Sequence, residues 1–315
     1  MLDQFGRKIT YLRLSLTERC TLRCVYCRAD EGLCPKEDEL SAEELIRIAR
    51  VCTDLGIKRV RLTGGEPLLR KDILQIVEGI HAIPGITDLS LTTNAMMLAG
   101  LAKGLKKTGL ERVNISLDSL KPEVFRQLTG GELSTVLAGI DAAIEAGLTP
   151  VKINVVLIRG VNDDEVDDFI ALTKNRDLDV RFIEYMPIGG NTSSPRIPVD
   201  NRDIIRARPY LLPQPARQEG QPSADYSVPE HQGRVGFISA ISHQFCDTCN
   251  RIRITGDGKL RLCLGHEDEV DLVPALKTND QALADVIRQA IYRKPRGHNF
   301  SEKPVQDRNM RRIGG

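Results

Sequence analysis

Six of the eight cysteines fall into two triplets whose spacing suits metal clusters. The first is Cys20, Cys24 and Cys27, a C-x3-C-x2-C run. The second is Cys246, Cys249 and Cys263, a C-x2-C followed by one cysteine after thirteen further residues. Three thiolates are one ligand short of closing a tetrahedral zinc site or a four-iron cluster. An open position is where something other than protein can bind and react. Two such triplets, roughly 220 residues apart in one chain, point to a reaction between two bound small molecules.

Near the first triplet only Cys34 is placed to complete a zinc site, so the spacing favours a four-iron cluster with one iron unligated by protein. Around the second triplet a zinc knuckle completed by His243 or His266 stands as the rival to a cluster. Arg251, Arg253 and Arg261 alternate along the segment that leaves Cys249, which sets them on one strand face. Guanidinium forks match phosphate oxygens two at a time. Arginines beside an open-position cluster therefore predict a phosphorylated substrate that ligates it. For Arg261, beyond a turn, a solvated strand face is the alternative. Cys52 and Cys34 read as plain residues outside both triplets.

These residues need a scaffold, and the apolar pattern predicts one. Val-, Ile- and Leu-rich runs predict strands over 11–16, 59–63, 89–93, 112–117, 151–158 and 180–185. Between them helices are predicted over 41–55, 71–82, 98–107, 133–146, 163–174 and 201–207. Ser41 and Glu44 have the order of a capping box, Gly56 and Gly147 sit where helices should stop, and Pro122 suits a first helical turn. Six β-then-α units predict parallel strands with helices outside. No G-x-G-x-x-G follows a strand, and the motifs lie at the ends of several strands, which favours a barrel over a doubly wound sheet. The expected fold is α/β: an incomplete (β/α)6 barrel over 1–208, and an α+β extension over 209–315 carrying the second triplet. Five prolines make 209–233 an irregular connector. A strand over 235–239, a hairpin around Gly256-Asp257-Gly258 and one helix over 280–292 should follow. The last residues form a basic tail ending in Gly314-Gly315.

Lys plus Arg number 44 against 43 Asp plus Glu, so the basic surplus of a nucleic-acid binder is missing. Trp is absent, which argues against stacking platforms for single strands. No apolar run has membrane-spanning length and the first residues lack a signal-peptide core, so a cytoplasmic location is expected. In that reducing setting clustered cysteines read as metal ligands, not disulfides.

The C-x3-C-x2-C run with Tyr26 before its last cysteine, followed by Gly64-Gly65-Glu66-Pro67, resembles the radical S-adenosylmethionine (SAM) superfamily. The stretches LRLSLTERC, RLTGGEPLLRKD, LTTN, RVNISLDSL, VKINVVLIRGVND, RFIEYM, FCDTCNRIRIT and the terminal IGG resemble one subfamily closely, the GTP 3′,8-cyclases of molybdenum cofactor biosynthesis. The resemblance implies two [4Fe-4S] clusters and SAM, with no catalytic side chain beyond the cofactors. It implies SAM contacts from Tyr26, Gly65, Ser116 and Met186. It implies GTP contacts from Arg13, Arg61, Thr92, Lys152, Arg251, Ile252 and Arg253. The implied reaction is abstraction of the ribose 3′ hydrogen by a 5′-deoxyadenosyl radical, then attack on guanine C8. Gly314 and Gly315 would form an inserted activating tail. Implied partners are GTP, a reducing electron donor and the next pathway enzyme, cyclic pyranopterin monophosphate synthase, with the chain a monomer or homodimer. Two departures stand out: Thr21-Leu22 where Asn-Phe is usual, and Arg28-Ala29 where Met-Pro is usual. The rival readings are a radical SAM peptide-modifying or haem-maturing enzyme and a non-catalytic iron–sulfur electron carrier.

Overall fold

A computed structural model describes residues 1–27, 38–189, 198–298, 300, 305 and 308–314. Cys34 and Gly315 lie outside the described residues. The six expected strands form as β1 (Tyr11–Ser15), β2 (Arg59–Thr63), β3 (Asp88–Thr93), β4 (Arg112–Ser116), β5 (Val151–Leu157) and β6 (Leu178–Glu184). The helices after them are α1 (Ala42–Asp54), α2 (Ile73–His81), α3 (Leu98–Lys107), α4 (Pro122–Thr129), α5 (Leu133–Glu145), α6 (Val166–Ala171) and α7 (Asn201–Arg206). The Ser41–Glu44 capping box is present in both directions, at 3.2 and 2.8 Å. Gly56 and Gly147 leave their helices at positive φ, 101° and 72°.

The later strands are β7 (Leu212–Gln214), β8 (Ala224–Ser227), β9 (Val235–Ile238), β10 (Arg251–Ile254), β11 (Lys259–Arg261) and β12 (Glu269–Asp271). All twelve strands join one sheet in the order β12-β11-β10-β1-β2-β3-β4-β5-β6-β9-β8-β7. β10 runs parallel to β1 and β9 parallel to β6, so the C-terminal strands extend the six-stranded sheet at both ends. β7 and β12 end the order without pairing to each other, so the barrel is open, as expected from six units. Helices α8 (Val273–Thr278), α9 (Asp280–Tyr292) and α10 (Met310–Ile313) complete the chain.

Alternation along the strands separates two surfaces. On β1 the fully buried Leu12 and Leu14 face the helix layer, where one apolar core joins strands and helices. Tyr11 and Arg13, between and before them, line the interior cavity. Two expectations need correction. The 209–233 connector is not wholly irregular: β7 and β8 pair antiparallel within it and β8 pairs with β9, because an open sheet edge presents unpaired backbone groups that a short hairpin satisfies. The C-terminal part holds α8 and α10 besides the one helix expected. No described helix is long and apolar enough to cross a membrane.

Candidate active site

Strand register assembles the site. Arg13 lies directly opposite Arg253 on one side and Arg61 on the other, so three neighbouring strands set three arginines side by side. Like charges in adjacent strands repel. Burial, and Arg253 next to it, hold Arg13 well below the ordinary guanidinium range. Arg253 is brought down to about 10, by burial first and Arg251 second. Further round the wall burial, then Arg181, lower the Lys152 ammonium to about 7. This cationic wall borders a cavity of about 370 Å³.

The first triplet follows the C-terminal end of β1 and lines the cavity. The Gly64-Gly65-Glu66 turn grips the loop before it: Gly65 N donates to Thr17 O and Glu66 N to Arg19 O, both at 2.7 Å. Gly64 has φ 154°, and a Cβ there would stand 2.5 Å from the Thr17 carbonyl. At Gly65 a Cβ would meet the Arg19 carbonyl at 2.3 Å. The glycines are therefore required by close approach of chain to chain, not only of ligand to chain. Glu66 is fully buried and accepts from Leu68 N, Thr93 Oγ1 and Asn94 N at 3.0, 2.8 and 2.7 Å. It braces the ends of β2 and β3 and does not line the cavity. Tyr26 donates its hydroxyl to Asp118, whose other oxygen accepts from Val156 N at 2.8 Å.

The second triplet lies at the other end of the strands. Cys246 and Cys249 precede β10, which runs parallel to β1, and Cys263 follows the antiparallel β11. Topology alone thus separates the triplets by about one strand length, roughly 16 Å for five residues. Burial works to raise the Cys249 thiol, but Arg251 and Lys294 outweigh it and bring it down to about 7. Lys294 is almost fully buried and donates to the Leu262 carbonyl. Arg7 donates to the Cys246 carbonyl at 2.8 Å and to the carbonyls of Pro295 and Arg296 at 2.6 Å, fastening the two segments that flank the triplet. His266, the candidate fourth zinc ligand, shares its Nε2 with the Gly297 carbonyl at 2.8 Å.

Both triplets and the four residues expected at SAM line the same cavity. Of the seven residues expected at GTP, six line it. Ile252 does not: alternation on β10 turns its side chain into the core, fully buried, while Arg251 and Arg253 face the cavity. Arg261 also departs from expectation. It sits opposite Arg253 on a separate strand, is fully buried, and bonds Glu269 at 3.0 Å and the His266 carbonyl. It neither joins the cavity row nor faces solvent. Gly314 lies at the ends of β1 and β2, where Arg253 Nη1 donates to its carbonyl at 2.9 Å. Cys52 is a core residue of α1.

Sequence reading passed over Arg181, Asn94, Asp118 and Lys294. Arg181 could have been found, since it alternates with Asp179 on β6 and so shares a face with the cavity wall. Asn94 ends the LTTN run and donates to Thr21 Oγ1 at 2.9 Å and Cys20 Sγ at 3.6 Å. Asp118 and Lys294 carry no local signal; only the fold brings them to the site.

Comparison with known proteins decides the family. Residues 14–173 match the Radical SAM superfamily model and residues 178–300 the Molybdenum Cofactor Synthesis C model. A GTP 3′,8-cyclase of Alkaliphilus oremlandii is 44% identical over 322 residues, covering 100% of both chains. The chain belongs to the GTP 3′,8-cyclase family. A GTP 3′,8-cyclase of Moorella thermoacetica is 45% identical, again over 100% of both. Among solved structures, Streptococcus suis SuiB bound to S-adenosylmethionine aligns with TM-score 0.64 and 15% identity, over 97% of this chain and 77% of that one, a likeness of fold.

The cofactors of a radical SAM GTP 3′,8-cyclase are two [4Fe-4S] clusters and SAM, and the cavity fits them. Each triplet offers three free thiols that line the cavity. Buried polar atoms along the wall have no hydrogen-bond partner among the described residues: Arg251 Nε and Nη2, Arg181 Nε, Thr92 Oγ1, Tyr11 OH and Asn154 Oδ1. Buried polar atoms are ordinarily satisfied, so this lining is made for a polar, anionic ligand.

Proposed function

We propose that this chain converts GTP to (8S)-3′,8-cyclo-7,8-dihydroguanosine 5′-triphosphate in molybdenum cofactor biosynthesis. The observation that carries this reading is a single cavity with a cysteine triplet at either end of the strands and a cationic wall between them. Cys20, Cys24 and Cys27 would hold the SAM-binding cluster, and Cys246, Cys249 and Cys263 the second. When bound, the first cluster and SAM supply a 5′-deoxyadenosyl radical, which takes the ribose 3′ hydrogen.

The protein's own part is placement. Tyr26, held by Asp118, with Gly65, Ser116 and Met186, would orient SAM. Arg13, Arg61, Thr92, Lys152, Arg251 and Arg253 would hold GTP, with Arg181 added from the structure. The Ile252 backbone could contribute between its two arginines, but its side chain does not. A rigid wall that presents paired charges keeps the 3′ carbon in one position, and position is worth many orders of magnitude in a two-component reaction. We assign the SAM part to 1–208 and the second-cluster part to 209–315. The product would pass to cyclic pyranopterin monophosphate synthase, electrons would come from a low-potential donor, and the chain would act in the cytoplasm as a monomer or homodimer. Anaerobic incubation with GTP, SAM and dithionite should yield 5′-deoxyadenosine and the cyclised nucleotide together. Deoxyadenosine without any GTP consumption would return the chain to the peptide-modifying reading.

Arg251→Ala should weaken GTP binding by about 1.5–3 kcal/mol, the range for a hydrogen bond to a charged group. SAM binding should barely change, because the Arg251 guanidinium lies over the Phe245 ring at 4.9 Å and braces nothing at the first triplet. Arg253→Ala should weaken GTP binding by a similar amount and loosen the tail as well, through its bond to Gly314. Equal loss of GTP and SAM binding in the Arg251 variant would make it a structural residue.

Lys152 predicts a pH dependence. Its ammonium is lowered to about 7, so above that pH it enters the binding reaction neutral. A triphosphate favours the charged form and raises the pKa, so binding takes up a proton above about pH 7 and none below it. GTP affinity should therefore fall as pH rises from about 7 to 9, by at most about tenfold per unit. In Lys152→Met the slope should flatten. An equal slope in both proteins, measured by equilibrium dialysis, would remove Lys152 from the GTP site.

A further inference from the structure

Three carboxylates close to the cavity have no task in holding a cluster or a nucleotide. We propose that Glu18, Asp257 and Glu269 form an ionic clasp that positions the C-terminal segment by gripping Arg308 and Arg312. The proposal rests on the reading that this segment is needed for the reaction, and it adds what holds it there.

The contacts are specific. Arg308 Nη2 lies 2.9 Å from Asp257 Oδ2 and 3.0 Å from Glu269 Oε2, and its Nη1 lies 3.5 Å from Glu18 Oε1. Arg312 Nε lies 3.2 Å from Glu18. The Glu18 side chain is only 1% exposed. A carboxylate so buried is costly unless paired, and the tail brings it two guanidinium groups. The clasp gathers three separate pieces of chain. Glu18 stands two residues before Cys20, Asp257 lies in the β10–β11 turn, and Glu269 lies on β12. Closing it therefore ties the loop of the first triplet to the hairpin that joins Cys249 to Cys263 and to the strand after it.

Spacing in the tail agrees. Arg308 and Arg312 are four apart and share Glu18, while Met310 and Arg311 between them line the cavity. Ile313 is fully buried beside Ile188, Phe300 and Val305. The segment is thus held by one apolar anchor and a set of charges. The ion pairs are largely enclosed, with Arg308 12% and Glu18 1% exposed, so salt screens them far less than surface pairs. Docking of the tail is thus set by charge as well as by the anchor, and it covers the wall at Arg253, which donates to the Gly314 carbonyl.

Hydrogen exchange of the full-length, anaerobically reconstituted protein tests this. In Glu18→Gln and in Asp257→Asn the amides of residues 309–314 should exchange about tenfold faster or more, as loss of one charged hydrogen bond implies. Iron content equal to wild type shows that the variants fold, and Asp257→Asn covers the case in which a change beside Cys20 disturbs the cluster. Wild-type exchange in both variants would overturn the clasp and leave Ile313 as the anchor. Faster exchange with unchanged cyclisation per SAM cleaved would uphold the clasp and instead defeat the tail's role in the reaction.

Discussion

Cys246→Ala is expected to remove about half of the iron and nearly all cyclisation while sparing cleavage of SAM. The two triplets share no residue and lie at opposite ends of the barrel strands. Loss of one thiolate leaves the second triplet with two, too few to hold a four-iron cluster. Reconstituted wild-type protein should approach about eight irons and the variant about four, from two clusters and one. The first triplet keeps its own support: the Gly64-Gly65-Glu66 turn beneath it and Asn94 beside Cys20. SAM cleavage should therefore persist, uncoupled from a substrate no longer held in place. Iron and zinc analysis beside a 5′-deoxyadenosine assay reads both halves. Wild-type protein carrying about four irons and a zinc would defeat the second-cluster assignment.

Removing Gly314 and Gly315, or changing both to Ala, should leave iron content and GTP binding near wild type and lower cyclisation on the order of 100-fold, the scale of a small misplacement at a reacting centre. Gly314 has φ 74°, where a side chain is strained, and its Cβ would stand 2.6 Å from Thr63 Oγ1 and 3.0 Å from Ser15 Cβ. A side chain there is strained by the positive φ and must displace the Thr63 hydroxyl at the end of β2. The Gly314 carbonyl accepts from Arg253, which brings the tail to the wall assigned to GTP. A short peptide ending in Gly-Gly should restore part of the activity to the truncated protein. Full activity after truncation would make the tail inert.

Much of this was legible in the sequence because the controlling interactions are local. The Ser41 capping box, the glycines that end α1 and α5, and the alternation of Leu12 and Leu14 with Arg13 act over a few residues. So does the spacing of each cysteine triplet, since the cysteines of a cluster loop are near in the chain before the chain folds. The conformational demand at Gly64 and Gly65 was legible as a motif, though not its cause, which is the carbonyls of Thr17 and Arg19 pressed against them.

What the sequence by itself determined was the set of parts: parallel β/α units, two open cysteine triplets, and arginines of alternating direction. The tertiary structure alone decided how those parts face one another. It placed β10 beside β1, which puts Arg253 next to Arg13 across 240 residues of chain and turns Ile252 into the core. It drew Arg261 away to Glu269, recruited Arg181 and Lys294 to the cavity, and laid the tail against Glu18. These are non-local pairings. Strand order and register are settled by which buried surfaces fit together, and no short-range preference along the chain encodes that choice.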